Sequence, residues 1–158
     1  MAVTVREAAP GDEDFILALN AACVPAVGDM PREKYRQYAG WAYRVLIAEA
    51  GGFMILLRPG SAYPSDNYGW FETAFDRHLY VDRIAVTEAS RGTGAGRALY
   101  EAAILMARDL GEERVTAEVN EDPPNPESMA FHARLGFRHL LSRASGSGKV
   151  VAMLERPL

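Results

Sequence analysis

Seven consecutive residues, Arg91-Gly92-Thr93-Gly94-Ala95-Gly96-Arg97, have the types and spacing that hold a phosphate. Glycines let the backbone approach a ligand and turn its amides outward. A helix starting directly after them adds unpaired N–H groups and partial positive charge. Together these form an anion cradle, and Arg91 and Arg97 add cationic donors. Two familiar phosphate loops do not fit. No Lys-Ser or Lys-Thr follows the glycines, and a G-x-G-x-x-G fingerprint begun at Gly92 meets Arg97 at its last place. The pattern [QR]-x-x-G-x-[GA] is matched in full by Arg91 through Gly96. A second group with chemical potential is aromatic. Tyr63, Tyr68, Trp70 and Phe71 fall in a segment with Pro64, Asp66, Asn67 and Gly69, where they would stack on an acceptor or a cation, or else anchor a loop on the core.

The elements around these residues follow from period and punctuation. Val3–Arg6 alternates and reads as a strand stopped by Pro10-Gly11-Asp12. A helix follows to about Asn20, with Phe15, Ile16 and Leu19 on its apolar stripe, and a shorter one runs from Pro31 to Tyr38. Two β-rich runs, Arg44–Glu49 and Phe53–Leu57, flank Gly51-Gly52 as a hairpin. A long loop is expected from Pro59 to about Arg77, then a strand from His78 to Val86 leading into the glycine turn. The next helix, from about Arg97 to Asp109, presents Leu99, Ala102, Ala103, Met106 and Leu110 on one face and ends at Gly111. A strand from Val115 to Val119, a helix from Pro126 to Leu135 and two strands meeting at Ser145-Gly146-Ser147-Gly148 complete the chain. The order β-α-α-β-β-β-α-β-α-β-β predicts an α/β (α+β) domain over residues 1–158, a mixed sheet of about seven strands flanked by about four helices.

Composition narrows the function classes. The chain has 158 residues and a formal net charge of −4, so a basic nucleic-acid-binding surface is not expected. One cysteine, Cys23, excludes an intrachain disulfide and a cysteine zinc site, and no metal is expected. Its apolar neighbours mark it as a small buried hydrophobe, the other reading being a reactive thiol. No apolar run approaches the ~20 residues of a membrane span, and no leader pattern is visible, so the expected compartment is the cytoplasm.

Three stretches carry a resemblance over nearly the whole chain: Val5–Ala8 with Gly11-Asp12; Asp82–Val86 running into the glycine turn; and Asn125-Pro-Glu-Ser-Met-Ala-Phe-His-Ala-Arg-Leu-Gly-Phe137. They resemble the opening, the pyrophosphate loop and the last helix of the GNAT superfamily of N-acetyltransferases. Tyr80–Arg83 and Asp122–Pro126 are similar to stretches shared by a group of predicted acetyltransferases within it. The resemblance implies a splayed sheet whose fourth and fifth strands diverge, with the pantetheine arm of acetyl-CoA between them. It implies that backbone groups of Ile84, Ala85 and Val86 bond the pantetheine. The turn of Arg91, Gly92, Thr93, Gly94, Ala95, Gly96 and Arg97 would hold the pyrophosphate, and Asn125 and Ser128 would touch the CoA arm.

Acetyl transfer to an amine requires deprotonation of the ammonium, polarisation of the thioester carbonyl and protonation of the leaving thiolate. In the family a tyrosine four residues before the glycine of Leu-Gly-Phe commonly protonates the thiolate, and this chain has His132 there. Imidazolium can donate a proton, while the plainer reading is a histidine that packs in the CoA cleft. Related N-terminal acetyltransferases place a base carboxylate near the position of Glu118. Asp82 is the second candidate, or else an ion-pair partner of an arginine. The implied activity is acetyl transfer from acetyl-CoA to a primary amine of a small molecule or peptide, by direct attack in a ternary complex, with no nucleic-acid or membrane partner and with a homodimer compatible. The alternatives are a catalytically weak acyl-CoA-binding module and a transferase using another acyl-CoA donor.

Overall fold

β-branched and aromatic runs form the strands, and proline and glycine punctuate them much as expected. The computed structural model describes residues 3–146 and 148–158, so Ser147 in the last predicted turn lies outside the described residues. The order is β1 (Val5–Glu7), α1 (Glu13–Cys23), α2 (Arg32–Gln37), β2 (Arg44–Ala48), β3 (Gly52–Leu57), α3 (Asp66–Ala74), β4 (Leu79–Val86), α4 (Ala95–Asp109), β5 (Arg114–Asp122), α5 (Pro126–Arg134), β6 (Arg138–Ala144) and β7 (Val150–Pro157). The seven strands make one open mixed sheet in the order β1-β2-β3-β4-β5-β7-β6. All neighbours are antiparallel except β4 and β5, which run parallel and are joined through the crossover helix α4.

Each face of the sheet buries its own core. On one, α4 and α5 cover Leu46, Met54, Leu79, Val81, Ala117, Val119 and Leu154, with Leu99, Tyr100 and Ala103 as the α4 contribution. On the other, α1, α2 and α3 cover Ile47, Phe53, Ile55, Tyr80, Ala85 and Met153. No helix among the described residues is long and apolar enough to cross a membrane.

The segment from Pro59 to Arg77, expected as a loop, contains the helix α3, one more than the four expected. Its N-cap is Ser65, whose hydroxyl accepts from the Tyr68 amide, and Tyr68 and Phe71 form its buried face. Pro64 and Gly69 obscured a period that only two apolar positions carry. The end of α3 is fixed from beneath: buried His78 meets Glu72 at 2.7 Å through Nε2 and Thr116 at 2.9 Å through Nδ1.

Candidate active site

The site is a fork in the sheet. Among the described residues β4 and β5 pair at only two positions, Leu79–Val115 and Tyr80–Thr116. Beyond them β5 stays paired with β7 up to Asp122, while β4 stays paired with β3 up to Val86. The two strands therefore part, and the gap opens into a cleft of about 920 Å³. A bulge in β4 shapes its wall. Ile55 pairs with Arg83 and Leu56 with Val81, leaving Asp82 as the extra residue. The bulge breaks the two-residue alternation. Tyr80 and Ala85, an odd number apart, both face the α1–α3 core, and Val81 and Ile84 both face the α4 core.

The glycine turn lies at one end of the fork, as expected. Gly94 is the N-cap of α4 with φ +92°, a left-handed conformation that suits glycine. Space is open where a Cβ would sit on Gly92 or Gly94, whereas a Cβ on Gly96 would lie 3.0 Å from the ring of Phe131. The first two glycines thus leave room for a ligand, and the third lets α4 approach α5. The Thr93 hydroxyl donates to the Ser90 carbonyl inside the turn, and Ala95 is buried. Arg91 and Arg97 line the cleft together with Arg134 of α5, and among the described residues none of the three has a carboxylate partner. Two unpaired cations at the α4 N-terminus and a third from the last turn of α5 fit a polyanionic ligand. Asn125 caps α5 by accepting from the Ser128 amide, and both residues line the cleft. Along β4, the Thr87 amide bonds Gly51 across β3. Antiparallel alternation then turns the Ala85 backbone toward β3 and the Ile84 and Val86 backbone toward the gap.

Glu118 sits two residues past the last β4–β5 pair, where the fork begins. The Tyr80 hydroxyl lies 2.8 and 2.7 Å from its two oxygens, and Asn67 Nδ2 of α3 donates to Oε1 at 3.2 Å. Burial pushes the carboxyl up to about 8, outweighing the hydrogen bonds from Tyr80 and Asn67 that favour the anion. It nevertheless remains partly open on the cleft side. Asp82 differs. Its side chain is 4% exposed, pairs with Arg83 Nε at 2.8 Å and accepts from the Tyr38 hydroxyl at 2.7 Å. Arg83 in turn bonds Asn20 Oδ1 and the Gly28 carbonyl, tying the α1–α2 connection to β4. Asp82 is thus half of an ion pair at the cleft wall.

His132 lies at the cleft wall, 3% exposed, with neither ring nitrogen free. Nδ1 is 2.7 Å from the Ser128 carbonyl, which can only accept, so Nδ1 carries the proton. Nε2 is then bare and accepts from the Tyr100 hydroxyl at 2.6 Å. Burial pulls the imidazole below its ordinary range and raises the Tyr100 phenol. This geometry holds a neutral histidine in place.

The four aromatics separate. Tyr63 lines the cleft and its hydroxyl lies 2.9 Å from that of Tyr38. Tyr68 and Phe71 are buried in the core, and Trp70 packs edge-on against Phe71, away from the cleft. The α3 helix turns these three toward the sheet, an outcome hidden while the segment read as a loop. The cleft also takes in the end of α1 and the chain after it, Ala22 to Gly28, including half-buried Cys23. Asn120 and Lys149 both donate to the Pro25 carbonyl there, at 3.2 and 3.1 Å. Sequence reasoning missed Asn67, Tyr80, Tyr100 and Arg134. Among the described residues no cluster of acidic, histidine or cysteine side chains forms a metal-binding group.

Structures of similar fold are N-acetyltransferases. Ard1 from Thermoplasma volcanium superposes with a TM-score of 0.77 at 19% identity, covering 100% of this chain and 99% of that one. Chaetomium thermophilum Naa20, solved with a bisubstrate analogue, gives 0.76 at 21% identity over 99% of this chain and 87% of that one. A ribosomal-protein-alanine N-acetyltransferase from Brucella melitensis gives 0.72 at 22% identity over 98% and 99%. In sequence, the mycothiol acetyltransferase of Parafrankia sp. (strain EAN1pec) is 29% identical over 86% of this chain, which spans 46% of that relative's length. The acetyltransferase (GNAT) family model matches residues 22–137, most of the chain and all of the fork, and the chain belongs to that family.

Proposed function

We propose that the chain transfers an acetyl group from acetyl-CoA to a primary amine of a small molecule or peptide, by direct attack in a ternary complex. The observation that carries this reading is the fork, with a glycine-capped, arginine-lined anion cradle at one end and the partly open Glu118 carboxyl where its strands part. Acetyl-CoA supplies the activated acetyl group as a thioester. Arg91, Arg97, Arg134 and the amides following Gly94 bind its phosphates, and the gap-facing backbone of Ile84 and Val86 holds its arm beside β4. Glu118, once ionised, takes a proton from the incoming ammonium directly or through one water. The amine nitrogen then bonds the acetyl carbon as the carbon–sulfur bond breaks, and the thiolate takes its proton from solvent at the cleft. Tyr100 and His132 have no proton to spare: their one shared proton sits between them, and its loss would leave a buried phenolate. His132 serves here as a positioning residue that fixes Tyr100. Tyr63 lines the acceptor side.

The test is thiol release from acetyl-CoA with a panel of small amines, amino acids and peptides with free N-termini, read together with the mass of the acetylated product. Turnover with at least one amine is expected, and none with any of them, by a protein that binds CoA, overturns the reading. The CoA site is tested separately by Gly94→Leu. A side chain there is strained at φ +92° and fills the open space in front of the amides. CoA affinity should fall by about tenfold or more, roughly 1.4 kcal/mol, with the fold intact. Calorimetric binding unchanged in the folded variant would remove the turn from the site.

A further inference from the structure

The carboxyl at the fork is held by a relay that reaches the far edge of the sheet. Arg143 of β6 donates from Nη1 to Asn67 Oδ1 at 2.6 Å, and Asn67 Nδ2 donates to Glu118 Oε1 at 3.2 Å. Three elements distant in sequence, α3, β5 and β6, meet in this line. An asparagine amide can present either its oxygen or its nitrogen to a neighbour, and the network decides which. Arginine has donors only, so it must face the amide oxygen. That leaves the N–H₂ pointing at Glu118. Without Arg143 nothing in the line prevents the amide from rotating, and its oxygen would then face the carboxylate and repel it. Among the described residues Arg143 has no carboxylate partner that would draw its guanidinium away from Asn67.

We propose that Asn67 and Arg143 are positioning residues that set the proton affinity of Glu118, with Arg143 locking the Asn67 amide in its donor orientation. The proposal rests on the reading of Glu118 as the base only for its effect on rate; its effect on the carboxyl stands by itself. The other groups that face Glu118 are Tyr80, Asp82 and Arg83 of β4 and Tyr100 of α4. Asp82 and Arg83 neutralise each other at 2.8 Å, and Tyr80 stays neutral because burial raises its phenol far above the working range. The neutral Tyr80 hydroxyl also favours the anion through its own bond, and the relay adds a second donor whose orientation depends on Arg143.

The experiment follows Glu118 directly, by carbon-13 carboxyl resonances of glutamate-labelled protein assigned with Glu118→Gln, alongside kcat/KM against pH. Asn67→Leu removes the donor, Arg143→Met removes the lock, and Asn67→Ser covers the event that leucine does not fold. Both the Asn67 and the Arg143 variants should move the Glu118 half-titration point upward by about half a pH unit or more. The rate plateau above that point should stay within about threefold of the parent. A folded Asn67 variant with an unmoved resonance overturns the proposal, and a moved Asn67 variant beside an unmoved Arg143→Met overturns the lock. A resonance that moves while the rate profile does not leaves the relay standing and removes Glu118 as the base.

Discussion

Two tyrosine-anchored groups face each other across the fork, and they are built for different work. On the acceptor side Tyr80 bonds Glu118, a carboxyl raised to about 8 with the cleft open to it. On the helix side Tyr100 bonds His132, an imidazole depressed by burial whose second nitrogen is also engaged. Glu118 changes charge near neutral pH and can exchange a proton with something in the cleft. His132 stays neutral and its bonds end inside the protein. A titratable type at a family position is thus insufficient evidence for an acid; both ring nitrogens must be traced to their partners.

The widest separation between the two should be in rate. Glu118→Gln keeps the shape, the Asn67 contact and the Tyr80 contact while removing the basic oxygen, and kcat/KM should fall about 10²–10⁴-fold. His132→Ala should lower kcat by less than about tenfold. Steady-state kinetics on an active acceptor compares them, and equal losses would mean that the two groups do the same work. His132→Tyr sharpens the comparison. A phenol at that place restores a donor but must displace the Tyr100 hydroxyl, so a rate above the parent's would show that the acid role suits the position and that histidine fills it poorly.

The second separation is in stability. His132→Ala leaves the Tyr100 hydroxyl without its partner, removes the side-chain bond to the Ser128 carbonyl and opens space among Phe131, Tyr100 and Phe137. A cost of about 2–4 kcal/mol is expected in urea unfolding, with CoA affinity weakened through Ser128 and Asn125. A variant as stable as the parent would mean the bonds contribute nothing net.

How much of this was legible beforehand differs between the two regions for a physical reason. The glycine turn could be read because its chemistry is local: seven adjacent residues and the start of α4 make the cradle. The Glu118 environment could not, because Tyr80, Asn67 and Arg143 come from three elements whose meeting depends on the β4–β5 pairing and on α3. The fold itself was readable from strand periodicity and helix stops, apart from α3, which shows only two fully buried apolar positions, Tyr68 and Phe71. The bulge at Asp82 left no mark in the sequence. It pairs Asp82 and Arg83 side by side, so a candidate base became half of an ion pair. Arg134 sits outside the glycine motif and reaches the cleft only because α5 packs on Gly96 through Phe131.

The smallest effect, and the one that joins both groups in one measurement, is the pH dependence of stability. Glu118 in the folded state holds its proton up to about 8, against an unfolded value of 4.5. Between these values the folded state binds more protons than the unfolded one, so this group's contribution is fully present below 4.5 and is lost as pH rises through 8. His132 has the opposite sign. Its folded value lies below the unfolded 6.5, so protonation favours unfolding and stability falls as pH drops below 6.5. The two slopes oppose each other below 6.5, and above it only the Glu118 decline remains. Glu118→Gln should therefore flatten the alkaline decline and gain roughly 2–3 kcal/mol on the parent at pH 9 relative to pH 6. His132→Ala, though less stable throughout, should flatten the acid decline. Thermal unfolding of the three proteins across this range reads both limbs. An alkaline limb unchanged by Glu118→Gln would mean that the carboxyl is already ionised at neutral pH. The fork would then hold a permanent anion rather than a group poised to take up a proton.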